Sequence, residues 1–153
     1  MMGKVTSGVF PVHANDFEVL TDPDTWVKVA ELEEVNMTID NTTETWTTFA
    51  SGGWDSALVT GKSAKIEFKG KRCIGDAGND YIASKLMETG ENAYISARIL
   101  RPDGKTITWE KMACAVDNDG SSGKATDVGA LEGTLTGHGK PTLTDTASTS
   151  SVG

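Results

Sequence analysis

The sequence predicts a mainly β chain of antiparallel strands with one short helix, and three observations carry that reading. Twenty threonines stand beside a thin supply of strong helix formers, a balance that favours extended backbone. Apolar and polar residues alternate at a period of two in several separate stretches, as strands with one wet face require. Helical spacing stands out once, where Ile82 precedes Leu86 and Ala83 precedes Met87 by four residues. At 153 residues the chain has the size of one domain with a core of its own.

Taken in order, the first 24 residues hold Phe10, Val12, Phe17 and Leu20 as sparse apolar points, and residues 1–24 are expected to be a flexible arm ordered only against a neighbouring molecule. The domain proper is expected over 25–139. Val35, Met37 and Ile39 alternate with Asn36, Thr38 and Asp40, and Ala64, Ile66 and Phe68 alternate with Lys65, Glu67 and Lys69, so each stretch reads as a half-buried antiparallel strand. Between them Thr45–Phe49 is strand-like, but Ser51-Gly52-Gly53 interrupts the chain before Trp54, which suggests an extended loop over about 40–60.

The one helix is expected from Asp80 to about Glu88, capped by Asn79 and ended by Gly90. Its Ile82, Leu86 and Met87 should pack on a sheet that needs covering. Asn92–Leu100 and Thr106–Val116 flank Arg101-Pro102-Asp103-Gly104-Lys105, which is hairpin turn chemistry. Ile107 and Trp109 share one parity while Met112, Cys114 and Val116 share the other; one inserted residue near Glu110 and Lys111 would turn all five to one side, so a bulge is expected there. Ile66, Phe68, Ile107, Trp109 and Cys114 are the expected core. Asp117–Gly123 reads as a loop, 125–135 as a last strand broken by Gly129 and Gly133, and 140–153 as a flexible Ser/Thr-rich tail with almost nothing to bury.

Charge narrows the function. The net charge of −8 argues against gripping nucleic acid or an anionic membrane. Residues 1–50 carry −7, residues 51–116 carry +2 and residues 117–153 carry −3. Signs kept on different faces would suit stacking of copies; the alternative is accidental asymmetry on solvated surfaces. No apolar run follows the N-terminal lysine, so no secretory signal is expected, and no stretch approaches the roughly 18 apolar residues of a membrane helix.

Reactive constellations are weak throughout. Gly61-Lys62-Ser63 resembles the end of a phosphate-binding loop, but Ser56 stands where the first glycine belongs and a strand pattern follows. Asp117-x-Asp119-Gly120 places its glycine too early for a calcium loop and has Val128 where the bidentate glutamate should stand. His13 and His138 fall in the expected flexible ends, without a frame for nucleophilic catalysis or a metal. Glu31, Glu33, Glu34 and Asp40 form an acidic edge from which nothing selects a glycosidase pair. Cys73 and Cys114 lack metal spacing and are too few for a disulfide scaffold. No enzyme activity, cofactor or metal is expected. Trp54, behind two glycines, has no periodic reason to be buried; with Gly52, Gly53 and Trp46 it is a candidate inter-subunit contact, the alternative being packing under its own loop.

An ordered series of motifs carries a resemblance. Val35-x-Met37-x-Ile39-Asp40, Glu44-x-Trp46, Gly52-Gly53-Trp54, Thr60-Gly61-Lys62-Ser63, Gly70-Lys71-Arg72, Gly75-Asp76-x-Gly78-Asn79-Asp80-Tyr81, Pro102-Asp103-Gly104, Leu131-Glu132-Gly133 and Gly139-Lys140-Pro141-Thr142 together resemble the major tail (tail tube) proteins of long, non-contractile-tailed bacteriophages of Gram-positive hosts. The resemblance implies an antiparallel β-sandwich or partly closed barrel with one flanking helix. It implies a structural virion protein, made in the bacterial host cytoplasm, of which six copies close into a ring and rings stack into a tube for genome ejection. The partners it implies are copies of the chain, tail proteins such as the tape measure, terminator and distal tail proteins, and DNA that passes through the lumen without specific binding. The family's long loop, which contacts the adjacent ring, corresponds to about Asp40–Thr60. Alternatives are a related ring in a tail terminator, baseplate or secretion tube, and a small glycan-binding β-sandwich.

Overall fold

The structure is a computed structural model that describes residues 7–22 and 24–145. Its strands are β1 (Asp16–Asp22), β2 (Thr25–Lys28), β3 (Leu32–Thr47), β4 (Asp55–Lys71), β5 (Tyr94–Leu100), β6 (Lys105–Asp119), β7 (Ala130–Gly137) and β8 (Thr142–Asp145), with one α-helix, α1 (Ala77–Ala83). They form a single antiparallel sheet in the order β2-β1-β5-β6-β7-β4-β3, and β8 pairs with the first residues of β6. The sheet curls around its apolar face without closing. Helix α1 packs against β1, β2 and β6 and covers the core inside the curl.

The core follows the period-two pattern. Val19 and Ala97 of β1 and β5, Trp109, Met112 and Cys114 of β6, Leu131 and Leu135 of β7, and Ile66 and Phe68 of β4 are all buried. Ile107 is partly buried at its margin. Between Trp109 and Met112 the β5–β6 register shifts, Ile95 facing Met112 and Ala97 facing Trp109. The bulge therefore lies at Glu110–Lys111 and brings both parities of β6 to the same side. Ser96 reinforces it by donating through Oγ to the Glu110 carbonyl at 2.7 Å.

Several expectations need correction. Residues 16–22 are not an arm: β1 lies inside the sheet between β2 and β5, because Phe17 and Val19 alternate with Asp16 and Glu18 and bury one face. The 40–60 segment is not an extended loop, since β3 and β4 pair continuously from Leu32↔Gly70 to Thr47↔Asp55. Its threonines favour extended backbone, and without a buried face they leave no alternation to read. The helix begins and ends earlier than expected. Asp76 caps it by accepting from the Asn79 N–H at 3.0 Å, so Asn79 stands in the first turn. Ile82 is buried and Leu86 partly so, whereas Met87 lies beyond the helix and is 86% exposed. The tail begins as a strand, with Leu143 paired to Ile107. The outer parts of the expected arm and tail, residues 1–6 and 146–153, lie outside the described residues.

A buried polar cluster holds the two ends of the sheet together. Asn79 is fully buried and uses its whole amide: Nδ2 donates to the Ala30 and Lys71 carbonyls, each at 3.0 Å, while Oδ1 accepts from Arg72 at 2.9 Å and from the Cys73 N–H at 3.0 Å. Asp76 adds a bond from the Ala30 N–H at 3.1 Å. Ala30 follows β2 and Lys71 ends β4, so one side chain ties both to the helix. Arg72 also meets Asp80 at 2.8 Å and holds its carboxyl below the ordinary value of 3.8. A depressed folded-state value means that this contribution is present at neutral pH and is lost as acid protonates the group.

Gly78 and Gly133 are set by close approach. A Cβ on Gly78 would run into the Lys28 carbonyl, and one on Gly133 would run into the Ala115 carbonyl and stand 2.8 Å from the Phe68 ring. Gly133 is paired with both Phe68 and Val116; it does not break β7 but makes room for the ring. Gly133→Val should cost about 1–3 kcal/mol by overpacking, read as a lower midpoint in urea with an unchanged slope.

Candidate functional site

The most unusual feature is the outer part of the β3–β4 hairpin. Strand β7 pairs with β4 only over Lys65–Lys71, so β4 from Asp55 to Ala64 has β3 as its one strand partner among the described residues. Among the described residues strand β3 likewise presents an unpaired outer edge. Eight residues of β3 beyond Ile39 project roughly 27 Å at ~3.4 Å per residue. A free two-stranded ribbon is marginal in water, and unpaired edges invite strand addition.

The hairpin carries its own register device. Thr42 faces Gly61 while Thr43 faces Val59, which leaves Thr60 as an extra residue on β4. Thr60 Oγ1 donates to the Thr42 carbonyl at 3.3 Å. Beyond this bulge Glu44 faces Leu58 and Trp46 faces Ser56, so Trp46 and Leu58 share one face as diagonal neighbours, and Val59 lies on the other. All three are exposed.

At the tip, a 3₁₀ turn at Phe49–Ser51 is fixed by two bonds. The Thr48 N–H donates to Ser51 Oγ at 3.3 Å, and Ser51 Oγ donates to the Thr48 carbonyl at 2.7 Å. Gly52 and Gly53 follow at φ 66° and 89°, in the left-handed region where a side chain is strained. The chain then returns into β4 with Phe49 fully exposed and Trp54 81% exposed. Of the four expected contact residues, the structure thus places Gly52, Gly53 and Trp54 at one tip and Trp46 on the ribbon behind it. Trp54 is not packed under its own loop.

A second apolar surface lies where the sheet fails to close. A groove of about 690 Å³ runs between the start of β3 and the β1, β5 and β6 strands, lined by Phe17, Leu32, Val35, Met37, Ile99 and Ile107 among others. The β3–β4 register shifts at its edge, between Leu32 and Glu34, and His13, Asp16, Lys28, Glu33, Glu34 and Arg101 line it beside the apolar residues.

The weak chemical motifs resolve into structure. Gly61-Lys62-Ser63 lies inside β4 and precedes no helix. Glu33 meets Lys71 at 3.0 Å, and Glu34 accepts from Asn36. Asp119 accepts from the Ser121 N–H at 3.2 Å in a surface turn. Among the described residues no group of three His, Cys, Asp or Glu is placed to hold a metal, and no described helix is long and apolar enough to cross a membrane.

Cys114 is buried in β6, and that burial pushes its thiol from 9.0 up to about 12. The neutral thiol therefore contributes fully below about pH 9, and the contribution is lost as pH rises towards 12. A thiol reagent at pH 8 should modify Cys73, which is partly exposed, and reach Cys114 only as the protein unfolds.

Against known proteins, neither a family model nor a curated protein matches the sequence. The structure does match solved ones. A chain in the tail of an empty gene transfer agent particle, refined with helical and C6 symmetry, superposes with a TM-score of 0.69 at 19% identity, over 89% of this chain and 99% of that one. A chain from the virion of a native gene transfer agent particle gives 0.67 at 18% identity over the same shares. The fold is that of these tail-particle chains. In this chain that fold is mainly antiparallel β with one helix and a sheet that is not closed. Besides β1 and the pairing of the β3–β4 hairpin, sequence reasoning missed the Asn79 cluster and the groove; of these last two the cluster had a signal, the Gly75-Asp76-x-Gly78-Asn79-Asp80 run.

Proposed function

We propose that this chain is a structural subunit of a phage-like virion tail. In this reading six copies close into a ring, rings stack into a tube of the long, non-contractile kind, and the genome leaves through the lumen. The observation that supports it most is the β3–β4 hairpin, a projecting ribbon with unpaired edges and an aromatic tip, on a fold shared across nearly the whole length of chains from tail particles. Ribbons of this kind are stable once neighbours pair with their edges and cover their apolar side chains. A closed symmetric ring removes such edges.

The net charge of −8 fits a conduit. DNA repelled by the wall finds no phosphate-binding sites on which to stall. The role is non-enzymatic, with other tail proteins at the ends of the tube. Sedimentation of the purified chain over rising concentration, with negative-stain imaging of the fast fraction, tests the reading. Six-fold rings and hollow tubes are expected; a ring that never stacks would favour a terminator or baseplate role, and a monomer at every concentration, also with tail partners present, would overturn the assignment.

A further inference from the structure

We infer that the wet face of the sheet is a non-binding surface for duplex DNA, on which carboxylates mask the outward cations of β4, β5 and β6. This builds on the tail-subunit reading and names the residues that keep a passing genome from sticking. The face is the side of the sheet away from the core and α1. Its rows follow from the register: Thr38, Lys65, Thr136 and Ala113 stand side by side across β3, β4, β7 and β6, and Asn36, Glu67, Thr134 and Ala115 form the next row.

Each cation that points from this face on β4, β5 and β6 has an acid beside it. Lys65 meets Glu67 at 3.2 Å, Lys71 meets Glu33 at 3.0 Å, Arg98 meets Glu18 at 2.6 Å and Lys111 meets Glu91 at 3.7 Å. Lys69 stands in register between Glu34 on β3 and Glu132 on β7, the cross-strand placement in which opposite charges attract. Off the face the rule does not hold: Lys62, on the other side of β4, donates to the Asn41 side-chain oxygen, and Lys85 donates to the Asn92 carbonyl. Exposed ion pairs stabilise a fold little, so their regular placement here points to another role.

That role is local. The net charge of −8 repels DNA at a distance, but salt screens exposed charges beyond about 8 Å, and at contact each bare lysine is a phosphate site that adds to non-specific affinity. A lysine held against a carboxylate offers the phosphates no net charge. The composition of the rows argues against a protein occupant. Protein interfaces are enriched in Tyr, Trp, Phe, Met and Arg and depleted in Lys, Glu and Ala, whereas these rows carry Thr, Asn, Ala, Lys and Glu. Exposed large apolar side chains, among them Phe49, Trp54, Ile74, Met87 and Val128, lie outside them.

Salt elution of the purified full-length chain from a duplex-DNA column tests the masking. Glu34→Gln/Glu67→Gln/Glu132→Gln uncovers Lys65 and Lys69, while Asp24→Asn/Glu88→Gln/Asp127→Asn removes the same charge from exposed positions off the face. Parent and control should pass through at about 50 mM salt; the first variant should be retained and leave by about 200 mM, as lysine–phosphate contacts require. Adding Lys65→Gln/Lys69→Gln should abolish the retention. Glu67→Gln alone should give a smaller delay in the same direction, and it decides the matter if the triple variant does not fold. Retention of the parent, or equal behaviour of the unmasked variant and the control, would overturn the masking. Imaging of assembly keeps the two readings apart. A parent that never forms tubes yet shows the difference removes the tail role and leaves the masked face, and tubes without the difference do the reverse.

Discussion

Asn79→Leu is expected to be the most damaging single substitution outside the apolar core, lowering stability by about 3–5 kcal/mol because several buried backbone groups lose their partners together. In a domain of this size that is a fall in Tm of roughly 10 °C or more. The Ala30 and Lys71 carbonyls and the Cys73 N–H each lose the bond that Asn79 supplies, and leucine, similar in size, replaces none of them. The test is a denaturant melt of the purified variant. If the midpoint hardly moves, the ends of the sheet are held by apolar packing and the cluster is incidental. Because Ala30 and Lys71 flank the start and end of the β3–β4 hairpin, the variant should also loosen the hairpin base, seen as faster amide exchange at Leu32–Val35.

The opposite signature is expected at the tip. Phe49→Ser with Trp54→Ser should leave Tm within about 2 °C, since solvent-exposed side chains away from structural features contribute little to folding. It should raise the concentration needed for assembly by about 100-fold, the equivalent of ~2.7 kcal/mol and modest for two aromatic anchors at an interface centre. Light scattering against concentration reads the second effect and calorimetry the first. A variant that assembles like the parent but melts many degrees lower would place these rings in the fold and not at a contact.

These two residue sets show what the sequence revealed and what it hid. Strands with one buried face were legible because burial writes a period of two: Ile66 and Phe68 in β4, and Trp109 with Cys114 across the bulge in β6. The hairpin from Asp40 to Thr60 was legible as strand only around Thr45–Phe49, because both its faces are wet in the isolated chain and nothing alternates. Strand β1 was hidden for another reason. Seven residues with two buried side chains give too short a pattern, and their place beside β5 depends on a contact eighty residues away in sequence, such as Glu18 with Arg98 at 2.6 Å. At the helix start, Asp76 and Asn79 are both residue types that cap helices, so choosing Asn79 as the cap shifted the expected boundaries; the structure assigns the cap to Asp76 and frees Asn79 for the strands. Trp54 was visible as an aromatic without a periodic reason to be inside. The groove had no comparable mark, since curvature of the sheet creates it.

Whether the chain builds a hollow tube through its hairpin is decided by a helical reconstruction from electron micrographs of the assembled protein. Rings of six around an open lumen are expected, with the edges of β3 and β4 covered by neighbours and Phe49 and Trp54 buried against the next layer. Hairpins projecting into solvent from the assembled particle, or an assembly without a lumen, would contradict it.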